Sequence, residues 1–115
     1  MPHPTIGHVH LKVSDLLRAE HFYGTVLGFE VTQRYGDRAV FLGAGGYHHH
    51  IGLNTWESAG ATPPPPGHTG LYHSAFLYPD RRALAQALRR LLDAGLPLAG
   101  AADHRVSEAL SLLHL

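Results

Sequence analysis

The 115-residue sequence contains no cysteine, only one tryptophan and one methionine, and no surplus of either charge. Each absence excludes something. Without cysteine there is neither a disulfide framework nor a thiolate ligand, so zinc-finger and iron–sulfur chemistry are out, and histidine and carboxylate remain as metal donors. Lysine plus arginine number nine, as do aspartate plus glutamate, so net charge offers no attraction to nucleic acid or to an anionic membrane. No run approaches the roughly 18 apolar residues of a membrane span. The start, Met1-Pro2-His3-Pro4, lacks the charged-then-apolar layout of a secretory leader. Gly-x-Ser-x-Gly and Gly-x4-Gly-Lys are missing as well, which sets aside serine-nucleophile and phosphate-loop mechanisms. The expectation is a soluble, cytoplasmic protein of single-domain size, with a core of its own.

What the chain has in quantity is histidine, eleven residues, and a pattern written twice. The stretch from Ile6 to Asp15 and the stretch from Leu71 to Asp80 each place a histidine, His8 and His73, seven residues before an aspartate. Each continues through a helical period to a glycine. In the first copy Val9, Leu11 and Val13 alternate with His8, His10 and Lys12, the two sides of a strand. Ser14 or Asp15 suits a helix N-cap, and Gly28 suits the left-handed residue after the helix. Strands are predicted over Phe29–Arg34 and Ala39–Leu42, with a turn at Tyr35-Gly36-Asp37. The glycine-rich turn from Gly43 to Gly46 then leads into a fourth strand, Tyr47–Asn54.

Thr62 precedes Pro63-Pro64-Pro65-Pro66-Gly67, a stiff extended connector. In the second copy Asp80 caps a helix with the apolar stripe Leu84, Ala87, Leu88, Leu91 and Leu92, which ends at Gly95. Leu96–Leu98 and Val106–Leu113 read as strands, and no residues follow to make a fourth. The organisation is therefore a single domain over 1–115, with module one at 4–55, a connector at 56–69 and an incomplete module two at 70–115.

Two repeats, each offering one imidazole from the same place in its first strand, point to a pseudo-symmetric metal site built on His8 and His73. Taken singly, either residue is by default a satisfied core histidine; the matched placement favours the ligand. For His48-His49-His50, strict alternation puts His48 and His50 with Gly52 on the cavity side and His49 with Ile51 and Leu53. Parity favours His50; a bulge after Gly46 would bring His49 round instead. A solvated histidine-rich edge is the plain alternative.

The βαβββ repeat, the His-x6-Asp starts and the helix end Phe22-Tyr23…Leu27-Gly28-Phe29 resemble the vicinal oxygen chelate superfamily, which includes glyoxalase I, bleomycin-binding proteins and extradiol dioxygenases. The stretches from Gly45 to Trp56 and from Asp103 to Leu110 resemble its catechol 2,3-dioxygenase-like branch. The resemblance implies an α+β fold: paired βαβββ modules forming a curved mixed sheet with helices on the convex face, the second module lacking its last strand. It implies metal ligands at His8 and His73, with Fe(II) the first choice and Mn(II) the second, and a carboxylate as third ligand. In module one the carboxylate position falls on Gly52, and in module two it falls beyond the available strands. Glu108, His50 or a strand from a second chain could complete the set, and an open sheet edge in module two implies a homodimer.

The implied activity is extradiol ring cleavage of a catechol-like aromatic, with His49 or His50 handling protons and His104 near the substrate. Alternatives are a glyoxalase-like lyase or isomerase on a dicarbonyl-type substrate, and a non-catalytic small-molecule-binding dimer.

Overall fold

The computed structural model describes residues 2–95, 100–104 and 107–113, with side chains over 2–95. The chain divides into two compact units, Met1–Thr62 and Pro63–Leu115. In the first, Val9–Lys12 forms β1, Leu16–Glu20 forms α1, and the helix widens into a π-type turn over His21–Val26. Three strands follow, β2 at Glu30–Tyr35, β3 at Ala39–Gly43 and β4 at Ile51–Asn54. Asp15 starts the helix by accepting the Arg18 N–H at 3.1 Å, which satisfies one of the unpaired donors of the first turn. At the other end the Leu27 N–H donates to Phe22 O, five residues back, at 2.9 Å. That widened turn explains why the apolar residues between Leu16 and Leu27 keep helical spacing only loosely. Gly28, at φ 99°, then reverses the chain as expected.

The sheet order is β1-β4-β3-β2. β1 runs parallel to β4, and the remaining pairs are antiparallel. Val40 and Leu42 on β3 and Ile51 and Leu53 on β4 are buried under Tyr23, Val26 and Leu27. A Cβ on Gly24 would stand 3.7 Å from Leu42 Cδ2, so the helix presses its smallest residue against this strand. The opposite face of the same strands carries Phe41, Gly52 and, from β1, His10 (the alternation read from the sequence).

The helix is also tied to the edge strand. Arg34 on β2 donates two hydrogen bonds to the Glu20 carboxylate, one of them 2.7 Å from Nη2 to Oε2. Those bonds from Arg34 hold Glu20 below the usual glutamate value, against a smaller opposing effect of burial. A carboxyl lowered in the folded state stabilises the protein above its unfolded pKa, and that contribution disappears as pH falls through the folded value. Glu20→Gln is therefore expected to lower Tm at neutral pH and to flatten the fall of Tm with acid below about pH 4.5, where free glutamate titrates. Thermal melts across that range check it; parallel Tm curves for wild type and variant would show the pair to be inert.

The second unit comprises β5 at His73–Tyr78, α2 at Arg81–Asp93, β6 at Gly100–His104 and β7 at Ser107–Leu113. Asp80 caps α2 by accepting the Ala83 N–H at 2.8 Å, and Gly95 follows the helix at φ 71°. Ala87 and Leu91 are buried. Leu92, expected in the apolar stripe, is 60% exposed, so the stripe is narrower than its sequence pattern.

The expected strand at Leu96–Leu98 lies outside the described residues, and the strand at Gly100–His104 was not foreseen. Among the described residues the unit has three strands, one fewer than unit one, but their order is β5-β7-β6, all antiparallel. In unit one, β1 takes its parallel neighbour from the fourth strand; here β5 pairs with the third, from His73 opposite Leu113 to Tyr78 opposite Glu108. β5 is paired with β7 along one edge, and among the described residues β5 and β6 are the outer strands of this three-stranded sheet. β6 pairs antiparallel with β7 from Gly100 opposite Ser111 to His104 opposite Ser107, and an outer strand of such a sheet keeps one row of backbone groups available for association.

Candidate functional site

Of the candidate residues, His8 and His49 come together on the face of the first sheet that carries Phe41, opposite the buried leucines. Their placement begins with backbone constraints. Gly43 ends β3 where an added Cβ would stand 2.4 Å from the Tyr47 carbonyl oxygen, so the chain can fold back tightly only because no side chain is there. Gly45 and Gly46 take φ of 62° and 82°, conformations costly for other residues. The Tyr47 N–H closes the turn onto Ala44 O at 3.2 Å, and the Thr32 hydroxyl, at an irregularity in β2, donates to His48 O. The His50 N–H then reaches Leu42 O at 2.8 Å, and His50 O accepts from Val9 N–H at 3.0 Å.

The fourth strand accordingly starts at Ile51, not at Tyr47, and the alternation argument over residues 47–50 fails. His49, not His50, joins the ring-lined face. Its ring lies 4.4 Å from that of His8 and 4.9 Å from Phe41. His50 stacks instead on Tyr47 at 4.4 Å and lies 6.2 Å from Phe29. Its Nδ1 accepts the Ala44 N–H at 3.2 Å, which occupies the lone pair a base there would need.

His48 Nδ1 and His49 Nδ1 are 3.0 Å apart, a distance at which one ring must donate and the other accept. Burial first, then the neighbouring His8, His48, His10 and His50, lower the pKa of His49 below the ordinary imidazole value. A histidine so placed is neutral at physiological pH and available as a proton acceptor.

Two residues of this face were not singled out from the sequence as site residues. His10 entered the sequence reading only as a member of the polar side of the first strand, and Trp56 counted only toward a family-like stretch. His10 sits opposite Gly52 in the β1–β4 register; a Cβ on Gly52 would be 2.9 Å from His10 Nδ1. The imidazole thus lies across the glycine, edge-on to Phe41 at 5.6 Å and tilted against Trp56 at 5.6 Å. Trp56 is held by its own segment: its N–H donates to the Asn54 side chain at 3.1 Å, the Ser58 hydroxyl donates to Val13 O at 2.8 Å, and the Gly60 N–H donates to Ser14 O at 2.8 Å. Burial and the nearby His8 lower the pKa of His10 also. The signal that could have found the pair is a glycine facing a histidine across two parallel strands, which becomes visible only once the register is known.

His73 begins β5, exposed, with Tyr72 as ring neighbour at 5.2 Å. It belongs to the second unit and His8 to the first. His104 lies on β6 opposite Ser107, and Glu108 on β7 opposite Tyr78 and Asp103; their side chains are outside the described residues. Among the described residues no group of three or more histidine, aspartate or glutamate side chains is placed to hold a metal ion. Imidazoles are present, but no carboxylate converges with them, so the described donors alone do not make a two-histidine, one-carboxylate set.

Comparison with known proteins follows this geometry. The profile of the Glyoxalase/Bleomycin resistance protein/Dioxygenase superfamily matches residues 5–111. A catechol-2,3-dioxygenase of Bacillus subtilis (strain 168) is 45% identical over 97 residues, which cover 83% of this chain and 34% of that protein. The chain thus spans about a third of the length of the curated relative it matches. The crystal structure of lactoylglutathione lyase from Agrobacterium tumefaciens superposes with a TM-score of 0.61 at 21% identity, covering 96% of this chain and 93% of that one; at that identity the likeness speaks for the fold alone. Fold, repeated βα units and profile agree: the chain belongs to the glyoxalase/bleomycin resistance protein/dioxygenase superfamily.

Proposed function

We propose that the chain carries a site of the extradiol dioxygenase type that takes a catechol-like aromatic, with His49 as the residue that handles its protons. The observation that carries this reading is the packing of His49 against His8 and Phe41 on a ring-lined face; the likeness to a catechol-2,3-dioxygenase supplies the substrate class. His8 and His73 are the proposed positions for a divalent metal, Fe(II) or Mn(II), whose role in such a site is to bind oxygen ligands and accept charge. What this chain's own residues do is narrower. When the proton shared with His48 sits on His49 Nδ1, His49 Nε2 is free to accept a proton from a catechol hydroxyl, and the His48 ring 3.0 Å away can carry it on. Phe41 and Trp56 flank the imidazoles with apolar surface that suits a planar ring.

The test is direct. Purified protein, supplied with Fe(II) or Mn(II) and mixed with catechol in air, is expected to form the yellow ring-fission product, and His8→Ala, His73→Ala and His49→Ala to abolish it. No product from the wild type with either metal, or a wild-type rate in His49→Ala, would overturn the reading.

A second reading is favoured by the fixed stack of His10, Phe41 and Trp56, which can hold an aromatic with no metal at all: a non-catalytic small-molecule-binding protein. It predicts catechol binding that survives His8→Ala and His73→Ala, without product. Methylglyoxal with glutathione, assayed on the same sample, separates both from a glyoxalase-like lyase.

A further inference from the structure

The open face of the first unit has one feature that neither the proton chemistry nor a metal uses: an imidazole lying across a glycine between two larger rings. We propose that His10 and Trp56 form the stacking wall against which the substrate ring lies, and that Gly52 is the residue that lets His10 take up this position. The inference rests on the catechol-site reading for its substrate class, but its geometry lies wholly within Met1–Thr62.

Three observations carry it. The His10 ring is located from three sides, by the bare backbone of Gly52 beneath it and by Phe41 and Trp56, each with its ring centre 5.6 Å away. Trp56 remains 53% exposed although Asn54, Ser58 and Gly60 fix its segment through three hydrogen bonds. A large ring held in place yet left open to solvent has a free π-face at little further ordering cost, the condition under which an aromatic ligand gains from stacking. The same wall lies beside His49 through Phe41, whose ring contacts both His10 and His49, so a ring resting on it is beside the proton acceptor.

Gly52 is the handle for testing this without removing His10. Its φ is not in the left-handed region, so alanine meets no backbone strain there; the three atoms nearest the added Cβ, at 2.9, 3.0 and 3.2 Å, all belong to the His10 ring. Gly52→Ala therefore swings His10 away while leaving its side chain intact, and His10→Ala deletes it. Because Trp56 is the only tryptophan, intrinsic fluorescence reports the proposed wall directly.

The experiment titrates metal-free protein with catechol, exciting at the red edge where catechol does not absorb. Saturable quenching is expected, with the apparent Kd raised about fivefold or more in both His10→Ala and Gly52→Ala, as the loss of one aromatic contact implies, and unchanged in Leu92→Ala. Thermal melts of each variant confirm that the fold persists. Absence of saturable quenching, or an unchanged Kd in both wall variants with intact melts, overturns the proposal. Quenching weakened in the variants but without any ring-fission product in the presence of metal supports the wall and defeats the dioxygenase reading. Ring fission with an unchanged KM in both variants does the reverse.

Discussion

Replacing Leu42 by alanine is expected to lower the unfolding free energy by about 2–5 kcal/mol and the Tm by on the order of 10 °C. The side chain is 0% exposed, sits on the central strand β3, and packs against the helix where Gly24 brings the backbone close. Deleting three carbons there loses their transfer free energy and also leaves a void. Collapse of the void is opposed on each side: Val40 and Leu53 are themselves fully buried, and β3 is hydrogen-bonded to β2 and β4. A domain of this size has a total stability of about 5–15 kcal/mol, so the variant should approach the unfolding threshold. Urea unfolding of Leu42→Ala beside Leu92→Ala checks it. The latter side chain is 60% exposed and should move stability by no more than about 0.5 kcal/mol. Equal losses in the two would mean that the first unit is not packed as described.

Gly43→Ala is expected to cost about 1–3 kcal/mol, the range for forcing atoms into a filled space. The new methyl would stand 2.4 Å from the Tyr47 carbonyl oxygen and 3.3 Å from His49 Cα. Both obstacles are backbone, so no side-chain rotation relieves them and the turn itself must open. That turn sets the exit direction of His48, His49 and His50, and it is tied to β2 through Thr32. Stability and site geometry should therefore fail together: a lower Tm accompanied by loss of catechol turnover, or of catechol binding if the protein only binds. Gly36→Ala makes the control. Gly36 has φ 56° but open space around it, so it bears backbone strain without touching the histidines. A Gly43→Ala protein with full site function would show that the turn does not position His49.

Several elements were legible in the sequence because their causes are local. Asp15 and Asp80 cap helices, since a carboxylate can reach an N–H three residues on without help from the rest of the fold. Gly28 and Gly95 follow helix ends because glycine alone enters the left-handed region cheaply. The alternation along β1 put His10 on the opposite side from Leu11, although that other side is only half-buried and Val9 on it is 36% exposed. The duplication itself was a matter of spacing, and it led to the family.

Local pattern does not settle the places where distant segments compete. His49 displaced His50 on the ring-lined face because Gly43 and two left-handed glycines break the strand before Ile51, and a two-residue period means nothing across such a break. β7 pairs with β5, a pairing of separated strands that no local pattern encodes. The His10–Gly52–Trp56 arrangement depends on the register of β1 against β4, two strands about forty residues apart in the chain. Strand alternation limits which residues can build this face. The pairing of distant strands decided which of them meet there, because contact between side chains on different strands is set by hydrogen-bond register and not by distance along the chain.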